Sequence, residues 1–264
     1  MSNNPAGFYV HRSAIEAHKR FVGPHVTITK LANGELLESF YNCTDANIDT
    51  VKYRKDVEHI DLSTSPLLTE IPIRFFNGSI TLKSVKIGNG ITKIKEEAFF
   101  QCSNLAQFNF TGNITDFEKN AFAQCHNLTE INLANAITLG YGAFARAEKI
   151  EHLYLPSTIT QIGDYAFSNW HDLKTIEVAS TILGTGQRIF MSCALLEKVW
   201  IRNTCETITV SQANQTHFIN CPTTIKIYAE PASKPSGWSQ YFNRTGLSGG
   251  TTVSVVYGQT TSPF

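Results

Sequence analysis

The chain has 264 residues, 42% of them apolar and only 17% charged, with Lys plus Arg equal to Asp plus Glu at 22 each. That balance excludes a disordered polymer, and the zero net charge lacks the basic surplus that phosphate neutralisation needs, so no nucleic-acid partner is expected. No apolar run reaches the roughly 18 residues of a membrane-spanning helix.

The first residues, Met1-Ser2-Asn3-Asn4-Pro5, lack the basic, apolar and small-residue order of a signal peptide, so no such leader is visible in this chain. Ser13-Ala14-Ile15-Glu16 then reads as a capping box and Gly23-Pro24 as a stop, which predicts a helix over 13–24. At about ten residues it is too short to stand alone, and it is read either as a cap docked on the first coil or as an anchor into a larger assembly. Residues 1–55 form an N-terminal cap or anchor region on this reading.

From residue 56 the chain repeats itself. An anchor phenylalanine recurs at Phe76, Phe99, Phe122, Phe144, Phe167 and Phe190, at intervals of 23, 23, 22, 23 and 23. Other apolar positions keep step with it: Ile91, Ile94, Ala98, Cys102, Leu105, Phe108 and Phe110 become Ile114, Phe117, Ala121, Cys125, Leu128, Ile131 and Leu133 one unit later. The shortened unit is read through Ile137, Phe144, Ala147, Ile150, Leu153 and Leu155, and a last diverged turn through Phe218, Cys221, Ile225 and Ile227. Such a period means stacked coils, because one unit of this size cannot bury its own apolar face and neighbours can. Within each unit, the closing φ-x-φ alternation predicts a short strand with one buried face. Ala-Phe between polar residues predicts a brief helical turn, and Ile-x-x-Ile the return of the chain on the other side. The expected fold is an α/β repeat solenoid over residues 56–228: a right-handed coil with one parallel β-sheet face, short helical turns opposite, and a C-terminal cap with a strand tail over 229–264.

These residues resemble the BspA-like leucine-rich repeats, best seen in Ile162-Gly163-Asp164-Tyr165-Ala166-Phe167 and in the Leu155-Pro156 step after a strand. The resemblance covers residues 56–203, and Ile227 to Pro231 with Trp238 and Tyr241 resembles that family's terminal cap. It implies a surface or secreted adhesion module. The Asn that caps the turn after the strand in the better-known repeats is missing here, so their horseshoe curvature is not carried over.

Little in the sequence points to catalysis. Cys102, Cys125 and Cys193 share a repeat position, 23 residues apart or a multiple near it. That spacing is foreign to structural zinc. A disulfide between neighbouring coils is within reach, but Ala147 and Trp170 fill the same slot elsewhere, which favours buried free thiols. The pairing of Cys43, Cys205 and Cys221 is not legible. His11, His18 and His25 are spaced by seven, but Pro24 interrupts the helix before the third. No hydrolase, P-loop, zinc-protease or dinucleotide motif occurs, so neither enzyme activity nor a cofactor is expected. Seven Asn-x-Ser/Thr triplets, at Asn42, Asn77, Asn109, Asn113, Asn127, Asn214 and Asn243, follow mostly from composition.

The outward residues of the seven expected strands form two columns. One runs His59, Ser84, Gln107, Glu130, His152, Thr175, Lys198; the other runs Asp61, Lys86, Asn109, Asn132, Tyr154, Glu177, Trp200. At about 4.8 Å per strand the face spans roughly 30 Å, which suits a protein or glycan better than a metabolite. The candidate binding residues are His152, Tyr154, Trp200, Asn132, Glu177 and Lys198. The expected function is a non-enzymatic adhesion or recognition module, extracellular or at a cell or virion surface. The alternative is a structural subunit of a surface layer or virion that assembles through residues 1–24 and 249–264, where Thr251–Tyr257 reads as a strand with no partner in its own chain.

Overall fold

The computed structural model describes residues 23–51, 53–109, 113–179, 186–202, 218–222, 224–230, 233, 252–261 and 263. The helix expected over 13–24 falls almost wholly outside them. So do Cys205, Trp238 and Tyr241.

Three five-stranded sheets stack along the coil axis. The first begins with a hairpin, β1 (His25–Lys30) antiparallel to β2 (Leu36–Tyr41). It continues in parallel through β3 (His59–Asp61), β5 (Ser84–Lys86) and β7 (Gln107–Asn109). The second holds the two-residue strands β4 (Glu70–Ile71), β6 (Lys93–Ile94), β8 (Asp116–Phe117), β9 (Thr138–Leu139) and β11 (Gln161–Ile162), all parallel. The third runs β10 (His152–Leu155), β12 (Thr175–Val178), β13 (Lys198–Ile201), β14 (Thr224–Ala229) and β15 (Thr252–Tyr257), also parallel. Coil-to-coil pairing therefore starts at β2, ahead of residue 56. The C-terminal strand also has a partner in its own chain, since β15 pairs with β14 residue for residue from Thr224↔Thr252 to Ala229↔Tyr257.

The helical turns expected opposite the face are not there. The protein is a β-solenoid, and its one helical element among the described residues is a single 3-10 turn at Ile48–Thr50. The Ala-Phe segments instead form a third coil-to-coil ladder. In one coil the N–H groups of Arg74, Phe76 and Gly78 donate to Glu96, Ala98 and Phe100 of the next, at 3.0, 2.9 and 2.8 Å. The intervening Phe75, Asn77 and Ser79 donate back three residues, to Pro72, Arg74 and Phe76. Alternate amides thus leave the turn, which no α-helix allows. Two residues per coil adopt left-handed backbone to make this possible. One column, Arg74, Glu97, Asn120, Gly142, Tyr165 and Arg188, has φ between 53° and 59°; the other, Gly78, Gln101, Gln124, Arg146, Asn169 and Ser192, between 59° and 70°. A run of right-handed helix cannot contain both.

The core is the register of the anchor phenylalanines. Consecutive rings from Phe76 to Phe218 stack at 5.0, 5.0, 5.4, 6.1, 5.7 and 5.8 Å, none tilted by more than 15°. Each buried ring contributes roughly 1.5–3 kcal/mol of burial. The cysteine slot beside it does more than fill space. Cys102, Cys125, Cys193 and Cys221 Sγ donate to the carbonyls of Phe76, Phe99, Phe167 and Phe190 in the preceding coil at 3.1–3.5 Å, and Trp170 Nε1 donates to Phe144 O at 2.6 Å. An indole can replace a thiol there because both are apolar and carry one donor, while Ala147 fills the slot without one.

Candidate functional site

The strand face is interrupted. The segment equivalent to a strand around Glu130 to Asn132 is not one, and the first and third sheets end on either side of it, at β7 and β10. Thr129 N still donates to Ala106 O at 3.3 Å, but among the described residues no backbone hydrogen bond joins residues 130–133 to a neighbouring coil. The cause lies a few residues on. After Leu133 the loop is one residue shorter than in the adjoining coils, and this is the 22-residue interval. Ala136, fully buried, takes the slot that Ile91, Ile114 and Ile159 fill in other coils, and Ile137 is turned outward at 42% exposure. Ile137, expected as the inner residue, is therefore displaced by the small Ala136. Asn132 Oδ1 accepts the Ala134 N–H at 2.9 Å, a local bond that turns the chain where a strand would continue. Fraying starts one coil earlier. Ile87 N donates to the Asn109 side chain at 2.6 Å, whereas the equivalent Leu62 N donates to the Lys86 carbonyl at 2.8 Å.

The second sheet, by contrast, runs unbroken past this point through β8 and β9, and the stack of Phe122 on Phe144 continues beneath it. The result is a cleft of about 420 Å³ on the strand side, lined by Thr129, Glu130, Ile131, Lys149, Ile150, Glu151 and His152.

The two halves of the face differ chemically. On the N-terminal half the outward side chains satisfy one another. Glu35 accepts from Lys83 and, at 2.7 Å, from His59 Nε2, and His59 Nδ1 meets Ser84 Oγ at 2.7 Å. The hydrogen bonds from Lys83 and then His59 hold the Glu35 carboxyl down at about 2. Lys86 lies 3.5 Å from Asp61.

On the C-terminal half, five of the six candidate residues share one face through the register of β10, β12 and β13. His152 is exposed and its Nδ1 meets Thr175 Oγ1 at 2.6 Å. Tyr154 is 49% exposed. Lys198 and Glu177 are half-buried. Trp200 departs from expectation: it is only 6% exposed. The Arg202 guanidinium lies 4.8 Å over its ring, while Arg202 Nε reaches Glu177 Oε1 at 2.7 Å. Glu177, Arg202 and Trp200 thus form one packed unit rather than a free aromatic platform. Asn132 is exposed but sits across the gap from the others.

Two features escaped the sequence reading. Tyr228 falls in register with Trp200 and extends the second column, which the resemblance of Ile227 to Pro231 to the family's terminal cap obscures. On the turn side, Tyr141 and Tyr165 rings lie 5.4 Å apart and Arg188 covers Tyr165 at 5.7 Å. Strand alternation carries no signal for that side.

The thiols of Cys102, Cys125 and Cys193 are not reactive centres, whereas the neighbouring Cys193 holds the Cys221 thiol below the ordinary cysteine value. Burial pushes Cys102 up to about 12 and raises Cys125 and Cys193, and a buried thiol above neutral pH is a poor nucleophile. Among the described residues no group of three or more His, Cys, Asp or Glu side chains is placed to hold a metal, and no helix is long and apolar enough to cross a membrane.

A coil of three ladders with a stacked aromatic core is a repeat scaffold of the leucine-rich-repeat type. The chain belongs to the BspA type leucine-rich repeat region family, whose model matches six copies over residues 38–169 and 137–232. Its fold is similar to that of the leucine-rich repeat protein of T. pallidum, with a TM-score of 0.53 at 16% identity over 76% of this chain and 82% of that one. It is also similar to a leucine-rich repeat protein from Bacteroides ovatus, with a TM-score of 0.51 at 17% identity over 90% and 71%. No functionally curated protein matches the sequence.

Proposed function

We propose that this protein is an adhesion or recognition module at a cell or virion surface, and that it holds a protein or glycan against the strand face of β10, β12 and β13. The observation that carries this reading is the contrast between the two halves of the face. Around Glu35, His59 and Lys83 the outward groups are consumed by one another. Beside the cleft, Tyr154 stands half-exposed on a rigid strand, flanked in register by the Glu177–Arg202–Trp200 unit. Aromatic and arginine side chains on a preorganised surface are the usual anchors of recognition. A double substitution, Tyr154→Ala with Lys198→Ala, is expected to weaken retention on glycan arrays and on immobilised surface proteins at least about tenfold, the scale of one anchor. Unchanged retention moves the site off this face.

A second reading, a structural subunit, draws on β15, an uncharged six-residue strand at the end of the third sheet. A terminal strand is a template for pairing with another chain. Truncation before residue 249 would then abolish assembly in sedimentation experiments, and under the recognition reading it would leave the oligomeric state unchanged.

A further inference from the structure

We propose that the cleft at the interruption of the strand face is a sugar-binding site, seating one or two neutral pyranose units at the end of a glycan. This deepens the recognition reading above and rests on it. The cleft of about 420 Å³ falls in the range of small-ligand sites, roughly 300–1,000 Å³.

Its chemistry is that of a hydroxyl-rich ligand. In the parallel register β12 takes up the carbonyls of Glu151 and Leu155, through Thr175 N and Ala179 N. Backbone alternation then turns the N–H and C=O of His152 and Tyr154 toward the gap, where among the described residues no backbone bond from residues 130–133 meets them. The rim adds both signs of charge in small number. Glu151 is held by Lys174 at 2.7 Å, and Lys149 lies 3.6 Å from Asp172. Glu130 forms no ion pair among the described residues and is exposed at the mouth. A sugar hydroxyl both donates and accepts, so it can satisfy a carboxylate, an amide N–H and a carbonyl together. A phosphate or sulfate would face Glu130 and Glu151. A peptide anchor would seek a dry apolar pocket, but the cleft's apolar floor is limited to Ile131 and the almost fully buried Ile150. Tyr154 is not part of the lining, but its exposed ring lies two residues from His152 on the same side of β10 and offers a flat surface for the C–H face of a pyranose.

The cleft is also preorganised. Beneath it the Phe122 and Phe144 rings remain stacked within 2° of parallel. Beside it His126 Nδ1 meets Glu148 Oε1 at 3.1 Å, tying the same two coils together. The opening arises from one missing residue after Leu133, so restoring that residue should close it.

The test uses saturation-transfer NMR on the full chain with cellobiose, lactose, mannobiose and chitobiose as probes. Three proteins are compared: wild type, Glu130→Gln, and a variant with one glycine inserted between Ala134 and Asn135 to restore the 23-residue interval. The expected result is binding of at least one disaccharide by the wild type, a loss of about tenfold on Glu130→Gln, and no binding by the insertion variant, whose thermal midpoint is not lowered. Failure of all four sugars to bind, or equal binding by wild type and insertion variant, overturns the proposal. A protein ligand that is lost on Tyr154→Ala with Lys198→Ala but indifferent to Glu130→Gln and to the insertion would remove the sugar site and leave the recognition face standing.

Discussion

The rings of Phe122 and Phe144 lie 5.4 Å apart and within 2° of parallel, although the chain between them is one residue shorter than between the other anchor pairs. The core therefore keeps its register through the shortened coil, and the missing residue is absorbed on the strand side. Core and surface are separable in this fold: the stack sets the pitch, and the loops after the strands decide how well the face closes.

The stack predicts a sharp difference between inside and outside. Phe122 touches Phe99 and Phe144 face to face and Phe108 edge-on at 4.9 Å. Phe122→Ala should cost about 3–5 kcal/mol and break the cooperativity of urea unfolding, because neighbouring coils lose their shared interface. Lys119, paired with Glu96 at 2.8 Å on the surface, should be replaceable by Ala with no change in the unfolding midpoint. Equal effects would refute the stack as the main support.

A buried carboxyl makes the N-terminal end sensitive to pH. Glu38 is fully buried. Its Oε2 accepts the Arg54 N–H at 3.2 Å, but its Oε1 finds no partner among the described residues. Burial raises it from the ordinary glutamate value of 4.5 to about 7, against the weaker lowering effect of the Arg54 bond. The unfolded chain loses this proton first, so stability falls as pH rises from about 4.5 through 7, by roughly 2–3 kcal/mol. Glu38→Gln should remove that slope and raise the midpoint at pH 8. Glu35, held low, acts in the other window: its contribution is present above pH 4.5 and is lost as pH falls toward 2. Thermal midpoints measured from pH 3 to pH 8 separate the two.

Close approach of the coils depends on a glycine column. A Cβ on Gly163 would lie 2.6 Å from the carbonyl carbon of Gly140 and from Tyr141 N, while one on Gly88 would meet nothing nearer than 3.5 Å. Gly163→Ala should therefore destabilise by about 1–3 kcal/mol, and Gly88→Ala should leave the denaturation curve in place. A neutral Gly163→Ala would mean that the turn ladder has slack.

Much of this architecture was legible in the sequence because its determinants repeat. The 23-residue recurrence of phenylalanine marked the stack, and φ-x-φ alternation marked the strands at Ile60, Val85, Phe108, Leu153, Ile176 and Val199. The turns were misread because their hydrogen bonds are non-local. Ala-Phe between polar residues suits a helix by propensity, but Phe99 N finds Ala121 O in the next coil at 2.9 Å, a partner no local pattern announces. Ile137 and Ala136 were exchanged for a related reason, since an isoleucine outranks an alanine in any apolar pattern, and only the shortened loop decides which one faces in. Trp200 looked like an exposed anchor from its column. Arg202, two residues on, stacks over it, and strand alternation says nothing about a side chain folding back along its own strand.

One missing residue opens the strand face at residues 130–133 while the core beneath stays closed. Native-state amide hydrogen exchange tests it without a ligand. Rapid exchange is expected at Glu130, Ile131, Asn132, His152 and Tyr154, with strong protection at Phe122, Phe144, Ile176 and Val199, whose amides lie in intact ladders. Uniform protection along the face, with the amides at 130–132 as slow as those at 176 and 199, would contradict it.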